Sequence, residues 1–347
     1  MSKYDGDWVL SEVLADRAAR FGDKTFVTAG AGDLTYTAAA DLAGRVAAAL
    51  IELGVGPGDR VATMLPPTID YIGAWFGTAW AGAVDVPINN EFKGEFLRHL
   101  LADSGARVMV CQDRWVDRLA ELDVPELEHV VVVGDPVELP GIRTSSFADA
   151  VAMDPIAPVA RTEPDLLYIM YTSGTTGPSK GAMHSNRSAL WNSAAWIDIL
   201  DLGASDRAYS MFPLFHVTAR SAVVGSCLMV GGSVALRNGF SVSSFWEDVK
   251  ETESTFFAYM GAVIHLLYAQ DPSPDDAAHS VRRAFGAAAP PEIADAFEDR
   301  FGFPLWEVSG SCERGVGGAR RGGRRPWGGG GGRGGLGGGG GGGGGGG

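Results

Sequence analysis

Apolar residues along the chain follow two alternating periods. Residues 34–65, "LTYTAAADLAGRVAAALIELGVGPGDRVATML", open with a short strand. An alanine-rich run with apolar positions at helical spacing follows, then a "GVGPGD" turn and the strand "RVATML". Residues 66–89 repeat the scheme. Asp70 lies near the start of a helix whose Tyr71, Trp75, Phe76 and Trp80 face inward, and "AVDVPIN" is the strand after it. "FKGEFLRHLLADSGARVMVCQD" is a third helix–strand pair, and "HVVVVGD" is another buried strand. Apolar strands alternating with helices predict an α/β fold with a largely parallel sheet.

A looser segment, "ELPGIRTSSFADAVAMDPIAPVART", separates this block from a second one. The second block begins with the strand "DLLYIMYT" (165–172). Helices are expected around "RSALWNSAAWIDIL", "SFWEDVKETES", "GAVIHLLYAQ" and "EIADAFEDRFG", and strands near "RAYSMFPLF" and "TFFAYM". The uncharged run "SAVVGSCLMVGGSVAL" (221–236) is short for a membrane span and is broken by Gly-Gly, so it reads as a buried helix and a strand. The resulting expectation is two packed α/β subdomains, residues 1–160 and 161–313, with a ligand cleft between them. The N-terminal stretch lacks a basic segment followed by an apolar core and reads as an amphipathic helix, not a secretory signal.

Composition alters this picture at one end. Of residues 314–347, 23 are glycine and six are arginine, and none is acidic; this tail is expected to be disordered. The 347-residue chain carries a net charge of −14. With six of its 28 basic side chains in the tail, residues 1–313 hold 22 against 42 acidic ones, a net −20. A body that acidic repels nucleic acid and anionic membrane and must gather positive charge locally to hold a phosphate. The three cysteines, Cys111, Cys227 and Cys312, form no CxxC pair and suit a reduced, cytoplasmic compartment.

The chemistry centres on "YTSGTTGPSKG", residues 171–181. Gly174 and Gly177 let the backbone approach an oxygen-rich ligand, successive N–H groups can form an anion nest, and hydroxyls and Lys180 add donors. The string does not fit G-x-x-x-x-G-K-[ST], because Gly181 follows Lys180. It resembles the signature of the AMP-forming adenylating enzymes: acyl-CoA synthetases, luciferases and peptide-synthetase adenylation domains. "MFPLFHVTA" (211–219), "GAAAPPEI" (286–293) and "VSGSCE" (308–313) resemble further blocks of that family in its order. "FFAYMGAVIHLLYAQ" and the arginine pair before "FGAAAPP" resemble its crotonobetaine/carnitine-CoA ligase-like branch.

The resemblance implies that a carboxylic acid, fatty or carnitine-like, is joined to ATP as an acyl-adenylate and then passed to the thiol of CoA. Thr172, Ser173, Gly174, Thr175, Thr176, Gly177 and Lys180 would grip the outer phosphates, and Glu313 would hold Mg²⁺. His216, beside Phe215 at a strand end, would position the acyl carboxylate, which is already ionised near neutral pH. Gly286, Ala287, Ala288, Ala289 and Pro290 would form the adenine slot. Met260, Gly261 and Ala262 would wall the acyl pocket, with the glycine leaving room for the acyl chain. Ser309 and Cys312 stand where the family has Tyr and Thr, which should weaken nucleotide binding. Nothing in the tail matches the family's small C-terminal lid domain, so the expectation is a truncated or misread synthetase body, low in activity. Two other readings are a non-catalytic nucleotide-binding remnant and an RNA binder acting through the Gly/Arg tail.

Overall fold

The computed structural model describes residues 4–30, 32–172, 179–311 and 315–321. They form two mixed sheets. In chain order the strands are β1 (Thr25–Ala29), β2 (Gly32–Thr35), β3 (Arg60–Met64), β4 (Val84–Pro87), β5 (Val108–Gln112), β6 (His129–Val133), β7 (Arg143–Ser146), β8 (Leu166–Thr172), β9 (Lys180–Ser185), β10 (Arg207–Ser210), β11 (Ser233–Leu236), β12 (Phe256–Met260), β13 (Arg283–Ala287), β14 (Leu305–Ser311) and β15 (Gly315–Arg321). The first sheet runs β7-β6-β5-β3-β4-β8-β9 and the second β15-β14-β13-β12-β10-β11-β1-β2. Both are parallel inside and carry antiparallel strands only at their ends: β8 with β9, β1 with β2, and β14 with β15.

Period-two alternation divides the strands between cores. Val61, Val108, Val110, Val131 and Val133 point to one apolar cluster, while Ala62, Met109, Cys111, Val130 and Val132 point to another on the opposite face. In the second sheet Phe256, Ala258 and Phe285 join the first of these clusters, and Phe257, Tyr259 and Ala284 join a third. The shared cluster also takes the buried faces of helices Leu10–Phe21, Tyr36–Glu52, Ile69–Trp80 and Asn186–Leu200, so these helices lie between the sheets. Local sequence fixes where three of them begin. Thr35, Thr68 and Ser185 each take an extended backbone, and each side-chain oxygen accepts a first-turn N–H.

The stretch expected as a buried helix and a strand is a π-helical segment, Thr218–Gly225, running into helix Ser226–Val230 and then β11. Among the described residues no helix is long and apolar enough to cross a membrane. The π-helical segment carries Arg220, which is 1% exposed. Its guanidinium is ion-paired with Asp85 of β4, also 1% exposed, and lies 4.3 Å from the centre of the Trp75 ring. It donates to the Tyr71 hydroxyl at 3.0 Å and to the Leu214 carbonyl at 2.7 Å. Thr63 of β3 donates to the other oxygen of Asp85 at 2.7 Å. One buried cation thus ties the first sheet to the loop after β10.

Several expectations need amending. Sheet membership does not follow chain order across residue 160: β8 and β9 belong to the first sheet, and β1 and β2 to the second. The segment read as a loose connection contains β7 and helix Phe147–Ala152, capped by Ser146. Residues 315–321 of the tail, expected to be disordered, form β15. It pairs antiparallel with β14 from Trp306↔Arg321 to Ser311↔Gly315. Pairing of backbone groups needs no side chain to bury, so a glycine-rich segment beside an open strand edge can still be ordered.

Candidate functional site

A cavity of about 380 Å³ opens at the C-terminal ends of β12 and β13. Tyr259 and Met260 end β12, and Phe285, Gly286 and Ala287 end β13; all five line it. Phe212, Pro213, Phe215, His216 and Thr218 come from the loop after β10, and Val308 comes from β14. Trp196 reaches in from helix Asn186–Leu200, its ring centre 4.6 Å from that of Phe285. The carboxyl ends of parallel strands are where α/β folds leave such crevices. Among the described residues the lining carries aromatic rings and one imidazole, with no carboxylate, ammonium or guanidinium group.

Two glycines in this wall are required by backbone approach. A Cβ at Gly261 would overlap the carbonyl oxygen of Ala288, and one at Gly286 would overlap that of Tyr259. The expectation that Gly261 leaves room for an acyl chain is therefore corrected: the room is filled by the neighbouring main chain. Ala288 is one of three non-glycine residues with positive φ among the described ones (+61°), a left-handed conformation unfavourable for alanine. Glu307 of β14 holds this turn. Its carboxylate accepts from the N–H of Ala289 at 2.8 Å, from the N–H of Ala288 at 3.2 Å and from the Tyr259 hydroxyl at 2.9 Å. Burial and the adjoining Glu307 both raise the Tyr259 phenol's pKa.

His216 lies beyond the end of β10 at Ser210, in a loop and not at a strand end. The side chain is exposed at the cavity mouth. Its Nδ1 accepts from the Thr218 N–H at 3.3 Å, which puts the proton of the neutral ring on Nε2. Crowding by the surrounding wall lowers its pKa below the ordinary histidine value, favouring that neutral form.

Of the residues singled out from the sequence, Phe215, His216, Met260, Gly286 and Ala287 meet around the cavity. Gly261 and Ala288 support it from behind. Ala289 is held by Glu307, and Pro290 precedes helix Pro291–Phe301. Ala262 is exposed in the first turn of helix Gly261–Tyr268 and does not line the cavity; helical rotation carries it outward. Thr172 and Lys180 are paired across the β8–β9 hairpin, and Lys180 is exposed. After β8 the chain enters β9, an antiparallel strand, before helix Asn186–Leu200 begins. The hairpin base is fixed to helix Glu95–Ser104, where His99 Nε2 lies 3.0 Å from the Ser179 carbonyl oxygen and the Tyr171 hydroxyl donates to Asp103 at 2.6 Å. Ser173, Gly174, Thr175, Thr176, Gly177, Cys312 and Glu313 lie outside the described residues. Among the described residues no group of three or more His, Cys, Asp or Glu side chains could hold a metal ion.

Sequence reading did not single out Trp196, Phe212, Pro213, Thr218, Tyr259, Phe285, Val308 or Glu307. Only Glu307 left a local signal, a carboxylate inside the apolar strand "LWEV".

The two sheets with helices between them, and a crevice at the carboxyl ends of the second sheet, make up an α/β domain. Residues 14–328 match the AMP-binding enzyme family, and the chain belongs to it. It is 35% identical over 294 residues to the medium/long-chain-fatty-acid–CoA ligase FadD6 of Mycobacterium tuberculosis, covering 84% of this chain and 49% of that protein. It is 32% identical over 315 residues to the sulfoacetate–CoA ligase of Cupriavidus necator, covering 88% and 60%. The fold superposes with a TM-score of 0.80 on the anthranilate CoA ligase AuaEII in complex with anthranoyl-AMP, at 24% identity, covering 90% of this chain and 61% of that one. The chain thus spans about half the length of the curated relatives it matches.

Proposed function

We propose that this chain is the acid-activating body of an AMP-forming acyl-CoA ligase whose acid has an apolar tail. The observation that carries the reading is the aromatic cavity walled by Gly286 and Ala287. An uncharged tail gains about 25 cal/mol for each Å² of apolar surface it buries there. A sulfonate would be stripped of water beside a lining whose described residues offer no cationic partner. A carnitine-like ammonium would meet aromatic rings but no anion among the described lining residues. FadD6, named for medium- and long-chain fatty acids, supports the same choice.

In this reading the carboxylate of the acid attacks the α-phosphorus of ATP, the bond to the β-phosphate oxygen breaks, and pyrophosphate leaves with that electron pair. The thiol of CoA then displaces AMP. His216, neutral with its proton on Nε2, orients the carboxylate and moves no proton in the first step. The segment Gly286–Pro290 offers a flat backbone surface to adenine. Residues 172–177 and Lys180 would hold the outer phosphates, and Glu313 would hold the Mg²⁺ that ATP carries. The two sheet units, with β8 and β9 in the first and β1 and β2 in the second, would act together as one nucleotide-binding body.

Acyl-sulfamoyl-adenosines, which mimic the adenylate without reacting, test this on the chain as it stands. Thermal unfolding with dodecanoyl, benzoyl, sulfoacetyl and carnitine-derived tails, against adenosine sulfamate alone, reads affinity from the rise in Tm. The apolar tails should add the largest rise. Equal shifts for every tail would refute the choice of acid, and no shift with any compound would refute the nucleotide site.

A further inference from the structure

We propose that Glu307 is a positioning residue whose carboxylate sets the shape of the Gly286–Pro290 wall and thereby the affinity for nucleotide; its nucleotide part rests on the reading above. Three strand ends converge on this one side chain. Glu307 projects from β14, Tyr259 donates from β12, and the N–H groups of Ala288 and Ala289 donate from the turn that follows β13. An ionised carboxylate offers only acceptors, and here both oxygens are engaged by donors of the protein itself. That leaves Glu307 poorly placed to take a proton from a substrate and well placed to hold backbone.

The turn needs holding. Ala288 sits at φ +61°, where L side chains crowd the following carbonyl, and its own carbonyl fills the space left by the absent side chain of Gly261. Neither feature stabilises the turn. What opposes relaxation of Ala288 is the pair of charge-assisted N–H bonds to Glu307, stronger than neutral ones. Gly286 and Ala287, which face the cavity, immediately precede that residue. If the turn relaxes, they move and the flat surface is lost. The wall is thus shaped by a residue some twenty positions further along the chain, one that does not itself line the cavity.

Glu307→Gln keeps size and shape but presents an NH₂ group to one of the two backbone N–H donors, and Glu307→Ala removes both bonds. Amide hydrogen exchange and equilibrium binding of ATP are measured on the full chain and on both variants. In the wild-type chain the Ala288 and Ala289 amides should be protected. In Glu307→Gln their exchange should speed up at least tenfold, with far-UV circular dichroism unchanged and protection of β3, β5 and β6 retained. ATP should bind about tenfold more weakly, the loss of one such bond. Unprotected Ala288 and Ala289 amides in the wild-type chain would overturn the clamp without reference to any variant. Exchange that rises throughout the chain would overturn a local positioning role. ATP bound equally by wild type and Glu307→Gln would overturn this proposal while leaving the proposed function intact. Failure of the wild-type chain to bind ATP would overturn both.

Discussion

Asp85 and Arg220 offer the most demanding test of how the two sheets are joined. Each is 1% exposed, so neither charge has water to fall back on. Breaking a buried ion pair from one side costs about 3–5 kcal/mol, because the remaining charge is left uncompensated. Asp85→Asn leaves the guanidinium over Trp75 at 4.3 Å and bonded to Tyr71 and Leu214. A desolvated cation–π contact is worth about 2 kcal/mol, so the cost of this variant should fall at the lower end, about 3 kcal/mol. Arg220→Met leaves the carboxylate with only the Thr63 hydroxyl and releases the Leu214 carbonyl as well; it should cost about 4–5 kcal/mol. The double variant buries no charge, and its cost should undercut the sum of the two singles by about 2–3 kcal/mol. Urea unfolding followed by tryptophan fluorescence gives all four corners of the cycle at equal m-values. Amide exchange over residues 212–217 should rise in Arg220→Met and much less in Asp85→Asn, because only the former frees the loop. A cost below about 1 kcal/mol for Asp85→Asn, or strict additivity in the double variant, would refute the idea that this pair clamps the sheets.

Two further predictions concern the cavity wall and the titration of buried histidines. Gly261→Ala drives a methyl into the Ala288 carbonyl, a backbone atom that cannot rotate aside. It should cost about 3 kcal/mol, the upper end for overpacking, whereas Ala288→Gly relieves about 1–2 kcal/mol of left-handed strain and should be stabilising by about 0.5–1 kcal/mol after the added chain entropy; urea midpoints of both variants decide. His129 and His279 both have pKa values lowered, chiefly by burial. Their unfolded forms therefore bind protons first as pH falls, so stability should be intact above about pH 7 and decline through and below the ordinary value near 6.5; equal urea midpoints at pH 8 and pH 5.5 would contradict this.

What the sequence revealed follows from what is local. β3, β5 and β6 are apolar runs with period-two faces, and Thr35, Thr68 and Ser185 announce helix starts through their own side chains. The segment after β8 stands out by its composition of glycine, hydroxyls and lysine, but residues 173–178 lie outside the described ones. Sheet assignment was not local. β1 joins the second sheet because Val27 pairs with Val234 across more than two hundred residues, and β8 returns to the first through Asp85↔Tyr168. Register of that kind leaves no trace in periodicity, since either sheet would have satisfied the same alternation.

The cavity shows the same limit more sharply. Met260 and Gly261 were read as neighbours with one role, yet Met260 faces the cavity and Gly261 faces the Ala288 carbonyl. A glycine forced by main-chain approach and one left open for a ligand look identical in sequence, and only the position of the opposing backbone separates them. Trp196 reads as a core residue of an amphipathic helix, and it is one, at 7% exposed, while also closing the cavity against Phe285. Glu307 is the opposite case. A carboxylate among Leu305, Trp306 and Val308 conflicts with the strand's apolar pattern, and burying it requires donors. The structure supplies them from Tyr259, Ala288 and Ala289. The residue that breaks the pattern is therefore the one that ties β12, β13 and β14 into a single wall.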